Sequence, residues 1–255
     1  AMEVLHNGFT IEFSEGAFPL GTDSIALAGF ARLSRNASVL DLGSGCGTLG
    51  ILLCANNPDC TVTGIELDEN AHIAAQKNAA TNNLIHRLTS ICGDLRSFSD
   101  HFQSGSFSCC ISNPPYFPDG PQSKTTPLAR REDTCTMATL MEAAAWALKY
   151  GGDFFLVHRP ERLAELFACA STHKLEPKRL CLLRHRTDSP VSLVLVQCRK
   201  GGKPGLIWEE ESLFKSAKDD VDIVYTENMY NELPNILSIG FDIFLILTFD
   251  NFEII

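Results

Sequence analysis

The stretch Val39-Leu40-Asp41-Leu42-Gly43-Ser44-Gly45-Cys46-Gly47-Thr48-Leu49-Gly50 decides the fold. A short apolar run carries an acid near its end, glycines follow at alternate positions, and an apolar helical pattern then runs from Leu49 to Cys54. This is a strand, a tight turn and a helix N-terminus. Gly43, Gly45 and Gly47 lack a Cβ, so the main chain around Ser44 can take positive φ and admit a ligand closely. A second strand, Thr61-Val62-Thr63-Gly64-Ile65, ends in Glu66 and Leu67. An acid at that tip is where a nucleotide ribose presents its two hydroxyls.

Two features set this turn apart from a dinucleotide site. Asp41 would repel a pyrophosphate, but it suits a ligand carrying an ammonium group. Farther on, a fourth strand from Phe107 to Ser112 runs straight into Asn113-Pro114-Pro115-Tyr116-Phe117. Together these resemble the first and fourth motifs of the S-adenosylmethionine-dependent methyltransferases that act on planar amino groups. Such an amine is a poor nucleophile because its lone pair is delocalised into the π system. The side-chain carbonyl of Asn113 and the main-chain carbonyl of Pro114 can each accept one N–H, holding the nitrogen and favouring pyramidal geometry. Consecutive prolines fix φ and lock that carbonyl. Tyr116 offers a π face to the target, with Pro115 and Phe117 beside it on the substrate side. Asn113, Pro114 and Tyr116 are thus the candidate catalytic residues. The expected cofactor is S-adenosylmethionine, with no metal required, since a sulfonium is already a good leaving group. A rigid turn closing a strand would explain the prolines, but not the Asn and Tyr.

Working outward, residues 3–13 alternate around Asn7-Gly8, a two-residue hairpin signal. Phe18 to Asp23 then leads into a helix over Ser24 to Leu33. Thr22 and Asp23 have two readings, as N-caps or as part of a loop folded over the cofactor. After Glu66 a helix is expected from Asp68 to Asn82, then a third strand from Thr89 to Cys92 and the loop Gly93-Asp94-Leu95. In this architecture that loop lies beside the adenine ring, where Asp94 can accept amino protons and Leu95 can pack on the ring face. Asp94 could instead cap the next turn. The candidate cofactor residues are therefore Thr22, Asp23, Asp41, Gly43, Ser44, Gly45, Gly47, Glu66, Leu67, Asp94, Leu95 and Asn113.

A helix over Thr139 to Leu148, a fifth strand over Asp153 to His158 and a helix over Arg159 to Ala170 follow. Lys178 to Arg186 and Val191 to Lys200 read as an antiparallel pair closing the sheet. The expected fold is α/β, a Rossmann-like seven-stranded class I methyltransferase sheet with helices on both faces. Residues 1–33 would flank the cofactor site, 34–206 would form the methyltransferase domain, and 207–255 an atypical tail, acidic and then apolar.

A chain of 255 residues, 45% hydrophobic, can bury one large core. Its 10 cysteines form no C-x-x-C pairs and mostly sit in apolar runs, as small hydrophobes of a reduced cytoplasmic protein do. A disulfide framework or zinc site is not expected. Neither a signal-peptide pattern nor an apolar run of the roughly 20 residues a membrane span needs is present, so no membrane association is expected. The net charge of −10 is unevenly spread. Residues 124–203 hold 14 Lys and Arg against 8 Asp and Glu, whereas residues 209–255 hold 2 against 11. The basic stretch suits a phosphate backbone approaching Asn113, although charges of this density also simply solvate a surface.

With the motifs placed, the resemblance narrows. Gly21-Thr22-Asp23, Asp41 to Gly47, Gly64 to Leu67, Asn113 to Phe117, Ala129-Arg130-Arg131-Glu132 and Val157 to Leu163 occur in the order seen in one family. They resemble the bacterial tRNA adenine-N6 methyltransferases that modify the adenine beside the anticodon of a valine tRNA. The resemblance implies cofactor binding at Asp41, Gly43, Gly45 and Glu66, and target-amine recognition at Asn113, Pro114 and Tyr116. It also implies a tRNA partner; the chain itself is expected to be a monomer or weak homodimer. Arg130 and Arg131 would meet the tRNA backbone or, on the plainer reading, pair with Glu132 or Asp133. A protein-glutamine N5-methyltransferase acting on release factors shares the Asn-Pro-Pro-Tyr chemistry, but those enzymes carry a helical N-terminal domain that the short lead here does not match. A ribosomal RNA guanine-N2 methyltransferase is a third choice. A catalytically inactive, cofactor-binding RNA-binding module is a rival that the intact Asn113 to Tyr116 run argues against.

Overall fold

Period-two alternation in the apolar runs builds a sheet that is covered on both faces. The structure, a computed structural model, describes residues 2–5, 8–14, 20–114 and 136–214. Its first half contains β1 (Met2–Val4), β2 (Thr10–Glu12), α1 (Thr22–Phe30), β3 (Ser38–Leu42), α2 (Thr48–Asn56), β4 (Thr61–Glu66), α3 (Glu69–Thr81) and β5 (Leu88–Cys92). The second half contains the short α4 (Phe98–His101), β6 (Phe107–Ser112), α5 (Met137–Ala147), β7 (Leu148–His158), α6 (Leu163–Thr172), β8 (Leu175–Arg186), β9 (Val191–Lys200) and β10 (Ile207–Phe214).

The strands β1 and β2 form the expected hairpin, with Val4 opposite Thr10. The other eight make one sheet in the order β10-β8-β9-β7-β6-β3-β4-β5. All its pairings are parallel except those of β9 with β7 and β8. Alternate residues face opposite ways: Val39, Ile111, Phe155 and Val157 pack with α1, α2 and α3. Their neighbours Leu40, Leu42, Cys110, Phe154 and Leu156 pack with α5 and α6. Among the described residues no helix is long and apolar enough to cross a membrane.

The chain builds outward from β3 to β4 and β5 on one side, and through β6 and β7 on the other. The β3/β6 boundary is thus a topological switch point, where α/β sheets hold ligands beyond the carboxyl ends of the strands. Asp41 lies opposite both Gly64 and Ile111. The Ser112 hydroxyl donates to the Leu42 carbonyl at 2.7 Å and ties the ends of β6 and β3 together.

Three expectations need correction. The sheet has an eighth strand, because Ile207–Phe214 pairs parallel to β8 in a region read as the start of a tail. Its acids are matched to cations on β8: Glu209 meets Arg179 at 3.6 Å and Glu210 meets Arg184 at 3.4 Å. The N-cap of α1 is Gly21, so Thr22 and Asp23 are first-turn residues. The strand β7 begins at Leu148 rather than Asp153, its pairing with β6 shifting register between Phe107 and Cys109.

The hairpin is fastened to α3 by two buried amides one helical turn apart. Asn82 accepts from the Thr10 N–H and donates to the Thr10 carbonyl, each at 2.7 Å. Asn78 does the same with Glu12 at 2.8 and 2.9 Å, and donates also to the Cys46 carbonyl at 2.9 Å. The amides imitate a neighbouring strand. They join the hairpin, α3 and the glycine turn into one unit.

Candidate active site

The glycine turn is a backbone cradle. The Gly43 and Ser44 N–H groups both donate to the Ile65 carbonyl at 3.0 Å, so the turn folds back over the end of β4. Gly43 and Gly45 have φ of 76° and 54°, and a Cβ on either would meet nothing within 4 Å. The space above them is open. At Gly64 the opposite holds, since a Cβ there would collide with the Ser44 side chain. Glycine on β4 therefore makes room for Ser44, whose buried Oγ has no hydrogen-bond partner among the described residues.

Asp41 is 1% exposed, and neither of its oxygens has a hydrogen-bond partner among the described residues. Burial and, secondarily, the Glu66 carboxylate push its pKa up to about 8. A buried carboxyl left this way is costly unless a ligand supplies the missing charge or donors. Glu66 is placed differently. One of its oxygens accepts the Gly45 N–H at 2.8 Å and the other the Asp68 N–H at 2.9 Å. A carboxylate offers about four lone-pair sites, so each oxygen keeps capacity for a further donor.

Across the switch point, Asn113 follows β6 and is half-buried, with Pro114 buried behind it. Its Nδ2 donates to Ser24 Oγ on α1 at 2.9 Å. None of the described residues donates to its Oδ1. The structure therefore gathers Asp41, Ser44, Glu66 and Asn113 at one edge of the sheet, with the first turn of α1 alongside. Asp23 in that turn accepts the Ser24 N–H at 2.8 Å.

Asp94 takes the capping role. It accepts the Arg96 N–H at 2.8 Å at the head of a short 3-10 turn (Leu95–Ser97) and grips the Arg96 guanidinium through Nε at 2.9 Å. That guanidinium holds its carboxyl below the usual range. Leu95 is buried in the core and Leu67 is exposed. Pro115, Tyr116, Phe117, Arg130 and Arg131 lie outside the described residues.

Sequence reasoning passed over Ser24, Ser112, Asn78 and Asn82, whose partners lie far away in the chain. It also passed over His158, fully buried at the end of β7, whose Nδ1 accepts the Arg159 N–H at 2.8 Å. Burial and, secondarily, the Arg162 charge lower its pKa, which keeps the ring neutral. Among the described residues no three His, Cys, Asp or Glu side chains gather as a metal site.

Residues 12–167 match the family model described as the methyltransferase small domain. The tRNA1(Val) (adenine(37)-N6)-methyltransferase of Shewanella halifaxensis is 33% identical over 68% of this chain and 70% of its own length. The protein of the same name from Bacteroides fragilis is 27% identical over 74% of this chain and 80% of its own. Among solved structures, a predicted O-methyltransferase from Agrobacterium tumefaciens shares the fold with a TM-score of 0.67 at 19% identity, covering 83% of this chain and 96% of that one.

Proposed function

The chain belongs to the methyltransferase small domain family, and we propose that it transfers a methyl group from S-adenosylmethionine to the exocyclic N6 of a tRNA adenine in the anticodon loop. One observation carries this reading: the switch point sets a buried carboxyl, Asp41, with no hydrogen-bond partner among the described residues, on the same edge as an amide, Asn113, whose Oδ1 accepts from none of them. The first suits a cationic ligand and the second an amine. The names of the relatives favour a tRNA adenine over other amines. Such a substrate puts the enzyme in the cytoplasm.

Asp41 would hold the ammonium of the cofactor, and the open backbone at Gly43 and Gly45 would let its methionine part lie against the turn, with Ser44 and Gly47 completing it. Glu66 would use its remaining lone pairs on the ribose hydroxyls. Asp94 would take the adenine amino group once the exposed Arg96 swings aside, while Leu67, Leu95 and the Thr22–Asp23 turn border the site. When bound, the cofactor supplies a methyl group on a positively charged sulfonium. Asn113 Oδ1 and the Pro114 carbonyl each accept one N–H of the target amine and aim its lone pair. In this reading Tyr116, Pro115 and Phe117 would serve the target base, and Arg130 and Arg131 the phosphate backbone. An anticodon-loop base is unpaired already, which lowers the cost of presenting it.

The test is transfer from labelled S-adenosylmethionine into total tRNA lacking the modification, followed by nucleoside analysis. Labelled N6-methyladenosine is the expected product. Label in a release factor and none in tRNA would instead favour glutamine methylation.

A further inference from the structure

We propose that Ser24 is a positioning residue for methyl transfer, anchoring the Asn113 amide at the site; this rests on Asn113 being the acceptor of the target amine. An amide can present either its oxygen or its nitrogen, and the two faces are opposite in sign. Only the oxygen can accept an amine proton. A residue asked to accept must therefore be held in place. The Ser24 hydroxyl meets the nitrogen end, taking an Nδ2 hydrogen at 2.9 Å across 89 positions of sequence. A hydroxyl can donate as well as accept, so the contact fixes the place of the amide rather than which end is which. The amide oxygen accepts from none of the described residues, which leaves it for the substrate.

The support behind Ser24 is rigid. Its side chain is 8% exposed, in the first turn of α1, and its N–H is held by Asp23 Oδ1 at 2.8 Å. The helix packs into the same core as β3 and β6 through Leu27, Ala28 and Phe30. On the far side, Ser112 ties the strand before Asn113 to the Leu42 carbonyl at 2.7 Å. The amide is thus gripped between a helix turn and a strand end, which is what a fixed acceptor requires. The sequence motif supplies Asn113, and a serine outside that motif holds its side chain in place.

The test compares the wild type, Ser24→Ala and Ser24→Thr in single-turnover transfer to unmodified tRNA, with S-adenosylhomocysteine affinity measured by calorimetry. Ser24→Ala is expected to slow the transfer step about tenfold, the worth of one neutral hydrogen bond, with S-adenosylhomocysteine affinity within about twofold of wild type. Ser24→Thr keeps the hydroxyl and should stay within about threefold of wild type in transfer rate. Equal rates for wild type and Ser24→Ala overturn the positioning role but leave the reading of Asn113 intact. A Ser24→Thr rate as low as that of Ser24→Ala overturns it as well. So does a Ser24→Ala chain that loses cofactor-product binding together with transfer, since that marks packing. A wild-type chain that methylates no tRNA overturns the underlying reading and this proposal with it.

Discussion

Arg179 and Asp41 are both buried ionisable groups, and the fold treats them in opposite ways. Arg179 on β8 donates to the Phe30 carbonyl at 3.1 Å and to Gln197 at 3.4 Å. It also stacks over the Phe30 ring at 4.2 Å and pairs with Glu209 on β10. Asp41 on β3 has no hydrogen-bond partner among the described residues, and the charge acting on it is another acid, Glu66. A buried ion is tolerated when the protein surrounds it with partners. The guanidinium Nη1 and Nη2 groups of the arginine are partnered within the fold, and its role is structural. The acid has no such partner among the described residues, which is why the proposed cofactor ammonium is placed against it.

The sharpest way to separate the two halves of the ligand edge is Asn113→Ala. Transfer should fall about 10²–10³-fold, as when one preorganised transition-state partner is removed, with cofactor affinity held within a few-fold. Unchanged turnover would sink the mechanism. Asp41→Asn should do the reverse and weaken cofactor binding about 100-fold, since a desolvated charge pair is worth roughly 2–5 kcal/mol. Equilibrium dialysis measures it. The same change should stabilise the chain without cofactor at high pH. A carboxyl whose pKa is higher folded than unfolded favours folding below its ordinary value of 3.8, and this contribution is lost as pH rises through about 8. Asp41→Asn should therefore melt several degrees above the wild type at pH 8, and the gap should narrow as the pH falls and close only at about pH 4.

On the opposite side of the comparison, Arg179→Ala should cost about 3 kcal/mol in urea unfolding because it strands the partners of a buried charge. Cofactor affinity should not change. Glu210→Gln removes an exposed pair with Arg184 and should cost under about 0.5 kcal/mol. A loss for Glu210→Gln as large as that for Arg179→Ala would mean β10 is fastened by charge rather than by its backbone ladder.

The sequence was legible wherever neighbours along the chain carry the meaning. The run from Val39 to Gly50 shows strand, turn and helix because alternation, glycines and apolar spacing are local properties, and the seven expected strands all appear. Contacts between distant residues were not legible. Ser24 looks like an ordinary first-turn residue until α1 is set beside Asn113, and Asn78 and Asn82 look like helix-surface amides until the hairpin lies on them. The acids of β10 read as the start of an atypical acidic tail because their partners, Arg179 and Arg184, lie about 30 positions earlier. Asp94 reads from sequence first as a cofactor residue and second as a cap, and in the structure it caps the short turn and grips Arg96.

The most direct test of the central claim, that Asp41 is a carboxyl waiting for a cationic ligand, is proton release on cofactor binding. Calorimetry of S-adenosylhomocysteine binding at pH 7, repeated in buffers of different ionisation heat, counts the protons. With a pKa of about 8 before binding, Asp41 is mostly protonated at pH 7 and must ionise to meet the ammonium. The account predicts release of about one proton by the wild type and none by Asp41→Asn. A binding heat independent of buffer in the wild type, or the same release in both proteins, would contradict it.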